Sequence, residues 1–420
     1  MGKCLIFLTK KYPFETGEEF IENEIPVIAK EFEKVIIIST SVSDSSRMTR
    51  AVPKNAEVRP LASADVKKGL LRLLPKLLPF SNLKKLSGEK EYNSIKASFS
   101  KKMFLLYFAA KSEAVFEKCA DILKEFDIGR YGEAVFYSYW FYDTAYAAVK
   151  LRDICTVKTK YAVCRAHRYD LYHDQSTVGY IPLRRYILNS IDKVYPCSGN
   201  GSSYLGGLYG EYAGKIETAY LGTNDYGISP AVGGGAFHIV SCCHISPVKR
   251  VDMLARALYG LKGSGFKLKW THFGGGDGLE GLKKYADENL AFMECEFKGE
   301  IKNSELMAYY KKNHVDCFIN TSSSEGLPVS IMEACSFGIP VIATDVGGTS
   351  EIVKNSVNGF LIRCDFSSGE LSDKIKALYA MSGEDMLKLR AAGREIWLKD
   401  FSCVKNYGAF AKKISRPNGN

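Results

Sequence analysis

The chain has 420 residues, 57 lysines and arginines against 47 aspartates and glutamates, a formal net charge of +10, and an ordinary apolar fraction of 46%. That length exceeds what a single hydrophobic core usually serves, so two domains are expected, and the apolar fraction argues for a folded globular protein. No stretch reaches the roughly 18 uninterrupted apolar residues of a membrane-spanning helix.

At the N-terminus, Met1-Gly2 is followed by Ile6 where a myristoylation signal carries Ser or Thr, and CLIFL (Cys4 to Leu8) meets Lys10 and Lys11 too soon to form a signal-peptide core. A cytoplasmic location is expected. Twelve scattered cysteines without a C-x-x-C pair then read as reduced thiols, and six histidines without an H-E-x-x-H pairing give no zinc signature.

In chain order, Lys3 to Thr9 is an apolar run suited to a first buried strand, GEEFIENEIPVIAKEF is helix-like, and EKVIIIST (Glu33 to Thr40) repeats the strand pattern. Between Val66 and Lys102, ten basic residues stand against Glu89 and Glu91, a local net of +8, and leucines fill the spaces between them. Such a segment is either the solvated face of a helical insertion or a surface for anionic lipid. The leucines, and the lack of aromatic platforms for nucleic acid, favour the inner face of the cell membrane and no nucleic-acid partner.

Ala134 to Val149 (AVFYSYWFYDTAYAAV) carries Asp143 and several tyrosines, and it reads as a buried helix rather than a span, although AVFYS alone also fits a strand. Further strands are expected at Lys158 to His167, Lys193 to Ser198 and Lys215 to Gly222, with helices between them. This alternation predicts a parallel sheet over residues 1–227. SPAVGGGA then marks a hinge at 228–236.

A second strand-helix series over 237–395 follows: FHIVSCC, a helix around Val251 to Leu261, KLKWTHFGG, a helix from about Leu279, CEFKG, a helix near Glu305 to Lys311, VDCFIN, PVIATD and GFLI. Residues 396–420 form a last segment. The fold class is therefore α/β, with two doubly wound, Rossmann-like domains facing across a cleft. Ligands of such sheets sit at the carboxyl ends of the strands.

SSSEGLPVSIMEACSFGIPVIATDVGG (Ser322 to Gly348) sets Glu325 and Glu333 eight residues apart around a Gly-x-Pro turn. Pro328 can open a helix, leaving the N–H groups of Val329 and Ser330 free for a phosphate. Ionised carboxylates only accept hydrogen bonds and so suit sugar or ribose hydroxyls. Taken alone, the two acids equally fit a helix-dipole complement on a solvated surface.

In this setting, Glu325-Gly326-Leu327-Pro328 with Glu333, then Gly338-x-Pro340 and Gly347-Gly348, resembles the E-x7-E motif of the family-4 retaining glycosyltransferases of GT-B fold. VSCCHISPVKRVDMLARAL (Val240 to Leu258) is similar to that family's phosphate-binding loop, which implies Lys249 on the donor diphosphate. Where the family often has an arginine five residues earlier, this chain has His244, and Arg250 is the compensating cation. The closest likeness is in the C-terminal half. KKYPFETGEEFIENEI resembles members that build bacterial surface polysaccharides and implies an acceptor side at Gly17, Glu18 and Glu19. VCRAHRYDLY (Val163 to Tyr172) is similar to the segment whose histidine lies near the transferring carbon, which implies His167 as a partner of the donor sugar. The final FSCVKNYGAFAKKI resembles the helix that crosses back to the first domain.

The resemblance implies a retaining hexosyl transfer from a UDP- or GDP-linked sugar to a hydroxyl of a glycan or lipid-linked glycan, with no metal and no other cofactor. Glu325, His167 and Lys249 are the expected catalytic residues. Glu333, Gly326, Leu327, Pro328, Val329, Ser330, Arg250, His244 and Gly275 are expected to bind the donor. Two rival readings stay open. Gly276-Asp277-Gly278-Leu279-Glu280-Gly281 satisfies G-x-G-x-x-G, with Glu296 twenty residues beyond Gly276, as in an NAD-type oxidoreductase. A nucleotide-sugar-binding protein without catalysis is favoured by His244 in place of the arginine.

Overall fold

The computed structural model describes residues 2–43, 47–77, 80–231 and 235–416. It contains two compact units, one of Met1–Tyr220 with Asn406–Asn420, the other of Leu221–Lys405. The first holds strands β1 (Lys3–Thr9), β2 (Lys34–Val42), β3 (Ala56–Ala62), β4 (Glu133–Ser138), β5 (Thr159–Ala166) and β6 (Lys193–Pro196). The second holds β7 (Phe237–Cys242), β8 (Leu268–Phe273), β9 (Glu294–Phe297), β10 (Cys317–Asn320), β11 (Val341–Thr344) and β12 (Gly359–Ile362).

The strand orders are β3-β2-β1-β4-β5-β6 and β12-β11-β10-β7-β8-β9, all pairings parallel, so both sheets have the same doubly wound topology. Each reverses direction at one point, between β1 and β4 in the first sheet and between β7 and β10 in the second. In doubly wound sheets ligands bind at such a reversal, outside the carboxyl ends of the strands.

The continuous apolar strands follow from burial on both faces. In β1, Cys4, Ile6 and Leu8 join one core layer while Leu5 and Phe7 join the other. Phe410, Ala411 and Ile414 of the last helix pack in that second layer with Tyr137 and Tyr195. A buried ion pair ties the layer together. Arg165 Nε lies 2.9 Å from Glu24, its Nη1 donates to the Ala219 carbonyl at 2.7 Å, and its guanidinium lies 3.9 Å over the Phe410 ring.

Several boundaries differ from expectation. The units divide at Tyr220/Leu221 rather than in the 228–236 hinge, of which 232–234 lie outside the described residues. The reason is that the linking chain already packs on the second unit. Ser229 N–H bonds the Phe337 carbonyl, Arg390 donates to the Ser229 and Pro230 carbonyls, and Trp397 Nε1 donates to Thr223 Oγ1. The return falls at Lys405/Asn406, because the preceding helix (Gly383–Asp400) belongs to the second unit.

Ala134 to Val149 is not one helix. It gives β4, a turn, and then a helix over Asp143–Ile154. Lys215 to Gly222 is not a strand, and keeps only an isolated bridge from Ile216 to Val194. The unforeseen β3 is an edge strand with Leu61 as its one buried residue, so its sequence lacks the apolar run. The basic segment folds as the short helices Ser63–Leu73, Phe80–Ser87 and Glu89–Ile95, and Lys101 and Lys102 begin the long helix Phe99–Leu123. No helix among the described residues is long and apolar enough to cross a membrane.

Candidate functional site

In the second sheet two loops leave the carboxyl ends of β7 and β10 side by side, one on each side of the switch point. They are sewn together: Ser323 N–H donates to the Val248 carbonyl at 2.8 Å, and Thr321 Oγ1 donates to the carbonyls of Lys249 and Arg250 at 2.9 and 3.0 Å. This stitching brings Lys249 Nζ within 2.6 Å of Glu325 Oε1, on which Asn320 Nδ2 also donates at 3.3 Å. Glu325 is 8% exposed.

Behind the pair, Gly347 (φ +56°) lies so close that a Cβ would stand 1.9 Å from the Glu325 carbonyl oxygen, and Gly348 N–H bonds the Gly326 carbonyl. The Gly-Gly pair thus admits the Glu325-Gly326 turn at backbone contact.

Gly326, Leu327 and Pro328 are buried and lead into the helix Val329–Ser336. Pro328 is the residue before the helix, not its first turn, and its carbonyl accepts from Ile331 and Met332 N–H. The N–H groups of Val329 and Ser330 precede that ladder and carry the positive end of the helix dipole.

Glu333 is 9% exposed, and its Oε1 accepts from Asn303 Nδ2 at 2.7 Å. Burial pushes its carboxyl up to about 7, against the pull of the Asn303 bond.

Arg250 does not provide the expected spare cation. It sits in the left-handed region (φ +48°), stacks over Phe366, and spends its guanidinium on the carbonyls of Thr321 (2.8 Å), Cys364 (2.6 Å) and Ser322 (3.2 Å). It holds the loop that carries Glu325. His244 is exposed on the β7 loop, and the Gly275 carbonyl accepts from Ile245 N–H at 2.7 Å.

The glycines of the G-x-G-x-x-G run have a local cause as well. A Cβ on Gly276 (φ +125°) would stand 2.5 Å from the Ile245 carbonyl oxygen, and one on Gly278 would stand 2.6 Å from the Ile245 side chain. Close packing of two loops accounts for both glycines.

The first unit has its own bridged switch point. Glu18, at φ +61° and 7% exposed, accepts from the N–H groups of Lys10, Lys11 and Tyr12 and from Trp140 Nε1. Its carboxylate closes the β1 loop and is not free for an acceptor, which corrects its expected role. Gly17 (φ +92°) shapes the same loop, and exposed Glu19 accepts from Gly17 N–H.

His167, after β5, is 8% exposed and packs against Tyr139 and Trp140, with tilted rings whose centroids lie at 4.7 and 4.8 Å. Burial, helped by Arg165, pushes it down to about 3, so the ring is neutral, and its bond to the Tyr139 backbone carbonyl leaves Nε2 as an acceptor with no protein partner. Trp140 in turn packs, tilted, against half-exposed Tyr169 at 4.7 Å. Neither aromatic is among the expected site residues, although Trp140 lies in YSYWFYD and Tyr169 in HRYDLY, each at a strand end. Asn303 carried no such signal, because its partner lies 30 residues away.

Residues 231–396 match the profile of the family described as Glycosyl transferases group 1. That match lies within the second unit. The chain is 35% identical over 145 residues to the O-antigen biosynthesis glycosyltransferase WbnH of Escherichia coli, a match covering 34% of this chain and 36%, about a third, of that relative. It is 23% identical over 264 residues to the putative colanic acid biosynthesis glycosyltransferase WcaL of Escherichia coli, covering 61% of this chain and 64% of that one. Among solved structures, Anabaena Alr3699/HepE in complex with UDP superposes with a TM-score of 0.66 at 17% identity, covering 98% of this chain and 99% of the other. That likeness shows the fold, two Rossmann-like domains of GT-B type.

Proposed function

We propose that the protein is a retaining glycosyltransferase of family 4 that moves a hexosyl group from a UDP- or GDP-linked sugar to a hydroxyl of a glycan or lipid-linked glycan during cell-surface polysaccharide synthesis. The observation that carries this reading is the Lys249–Glu325 pair at the switch point of the second sheet, beside the free start of the helix Val329–Ser336. Breaking the anomeric C–O bond leaves negative charge on the diphosphate and positive character on the sugar. The lysine and the helix start meet the first with a preorganised positive potential, and Glu325 meets the second.

Glu333 accepts from the ribose. His167, expected as a partner of the donor sugar, is neutral, and its buried Nε2 has no protein partner. No protein nucleophile is assigned. The leaving phosphate takes the acceptor's proton in a same-face displacement. No metal is assigned either, since lysine and helix start supply the positive charge, and loss of turnover on adding EDTA would overturn that point.

The test is release of free nucleotide in the presence of acceptor, measured for the wild type and Glu325→Ala. The wild type should turn over and the variant should lose turnover while still binding nucleotide. A variant that transfers sugar at the parental rate contradicts the assignment.

The same reading places the basic helices on anionic lipid. Leu71 (67% exposed), Phe99 (69%), Met103 (40%) and Tyr107 (46%) stand out among exposed Lys67, Lys68, Arg72 and Lys96, the apolar-plus-cationic face that an interfacial segment needs. Sedimentation with phosphatidylglycerol vesicles, lost in Lys67→Glu/Lys68→Glu/Arg72→Glu and at high salt, is the expected result. Equal binding to neutral vesicles would contradict it.

A further inference from the structure

Glu333 is buried in its helix, yet its hydrogen-bond donor comes from outside the core. Asn303 is an exposed residue that opens the helix Asn303–Lys312, just past the carboxyl end of β9. An ionised carboxylate cannot donate, so the amide must present its NH2 to Oε1, and the 2.7 Å separation is that of a firm bond. Among the described residues no second side-chain donor reaches this carboxylate, which leaves Oε2 for a ligand.

We propose that Asn303 is the positioning residue of the nucleotide site: its amide fixes Oε1 of Glu333 and turns Oε2 outward to accept from a ribose hydroxyl. This rests on the donor-site reading above and adds to it a residue outside the two-acid motif. The bond acts in two ways. It removes a rotational freedom that nucleotide binding would otherwise have to freeze. It also stabilises the ionised form of a carboxylate whose surroundings favour the neutral one, and only in the ionised form are both oxygens acceptors, one for Asn303 and one for the ribose.

The other titratable groups facing Glu333 are Cys242 at the end of β7 and Tyr310 in the Asn303 helix, and burial pushes both well above neutrality. Neither changes charge where Glu333 does, and the shift on Asn303→Ala, rather than the wild-type profile alone, reports Glu333.

Titration calorimetry with UDP-N-acetylglucosamine and with GDP-mannose, from roughly pH 5.5 to 8.5, reads the effect, because the diphosphate diester of these probes does not titrate there. In the wild type, affinity for the preferred probe should rise through the region near pH 7 and then level off. Asn303→Ala should move that rise to higher pH, weakening binding about tenfold at pH 6.5 but only a few-fold at pH 8.5. Asn303→Gln should restore part of the difference, and Glu333→Gln should bind weakly at every pH. Asn303 is exposed, so its truncation spares the core. An Asn303→Ala profile parallel to the wild type, or identical with it, overturns the positioning role and leaves the donor site standing. Failure of the wild type to bind either probe overturns the donor-site reading and this proposal together.

Discussion

Lys249 and Glu325 are 76 positions apart in sequence and 2.6 Å apart in space, one on each side of the point where the second sheet reverses its winding. The pair sets up opposite expectations for its two members. Glu325→Gln frees the Lys249 ammonium, so nucleotide-sugar affinity should hold or improve while turnover falls by about two to three orders of magnitude. Lys249→Ala leaves a nearly buried carboxylate without its cation beside an anionic ligand, so affinity should fall at least about tenfold, and turnover with it. Calorimetry and nucleotide-release rates on both variants check the contrast.

Arg250 separates a structural cation from a ligand-binding one. Its substitution by alanine strands the carbonyls of Thr321 and Cys364, while Ser322 keeps Thr344 Oγ1 as a donor, and a carbonyl buried without a donor costs about 1–3 kcal/mol. Thermal unfolding should shift down by several degrees, by roughly 2–4 °C per kcal/mol, and the shift should exceed that of Lys249→Ala. A variant with unchanged melting temperature but lost nucleotide affinity would return Arg250 to the diphosphate.

Glu333 makes stability depend on pH in a stated direction. Burial raises its carboxyl to about 7, above its unfolded value, so the folded chain holds the proton more tightly and this group's contribution to stability falls as pH rises between about 4.5 and about 7. In the nucleotide-free protein, Glu333→Gln should therefore gain stability relative to the wild type at pH 8, up to roughly 3 kcal/mol, and little at pH 5. Denaturant unfolding at the two pH values reads this. A gain equal at both would mean that the buried charge is not its source.

In the first unit, Arg165 and Glu24 are both fully buried, and Tyr137 OH also donates to Glu24. Arg165→Met alone leaves a carboxylate buried without its cation and should cost about 3–5 kcal/mol. Adding Glu24→Gln should recover a good part of that loss. Urea unfolding of the single and double variants measures the coupling, and additive losses would contradict it.

What was legible in the sequence follows from which forces are local. Buried parallel strands announce themselves as apolar runs, so β1, β2, β7, β10 and β11 could be read, whereas β3, exposed at an edge, could not. Glu325 and Glu333 were legible because one turn and one helix fix their spacing. The roles of Arg250 and Glu18 were not, since what decides them is where backbone carbonyls and N–H groups from distant loops point. Arg250 has the composition of a phosphate ligand and the surroundings of a clamp. Glu18 has the composition of an acceptor ligand and closes a loop. Asn303 escaped notice because its partner is on another helix.

The central claim is that the second unit's switch point holds the diphosphate of a nucleotide sugar between Lys249 and the start of the helix Val329–Ser336. Calorimetric titration of the wild type with UDP-sugars, GDP-sugars and NAD tests it most directly. Saturable binding of a UDP- or GDP-sugar that weakens in Lys249→Ala and Glu333→Gln, with no binding of NAD, is the predicted result. Binding of NAD in preference to every nucleotide sugar, or nucleotide-sugar binding indifferent to both substitutions, would contradict it.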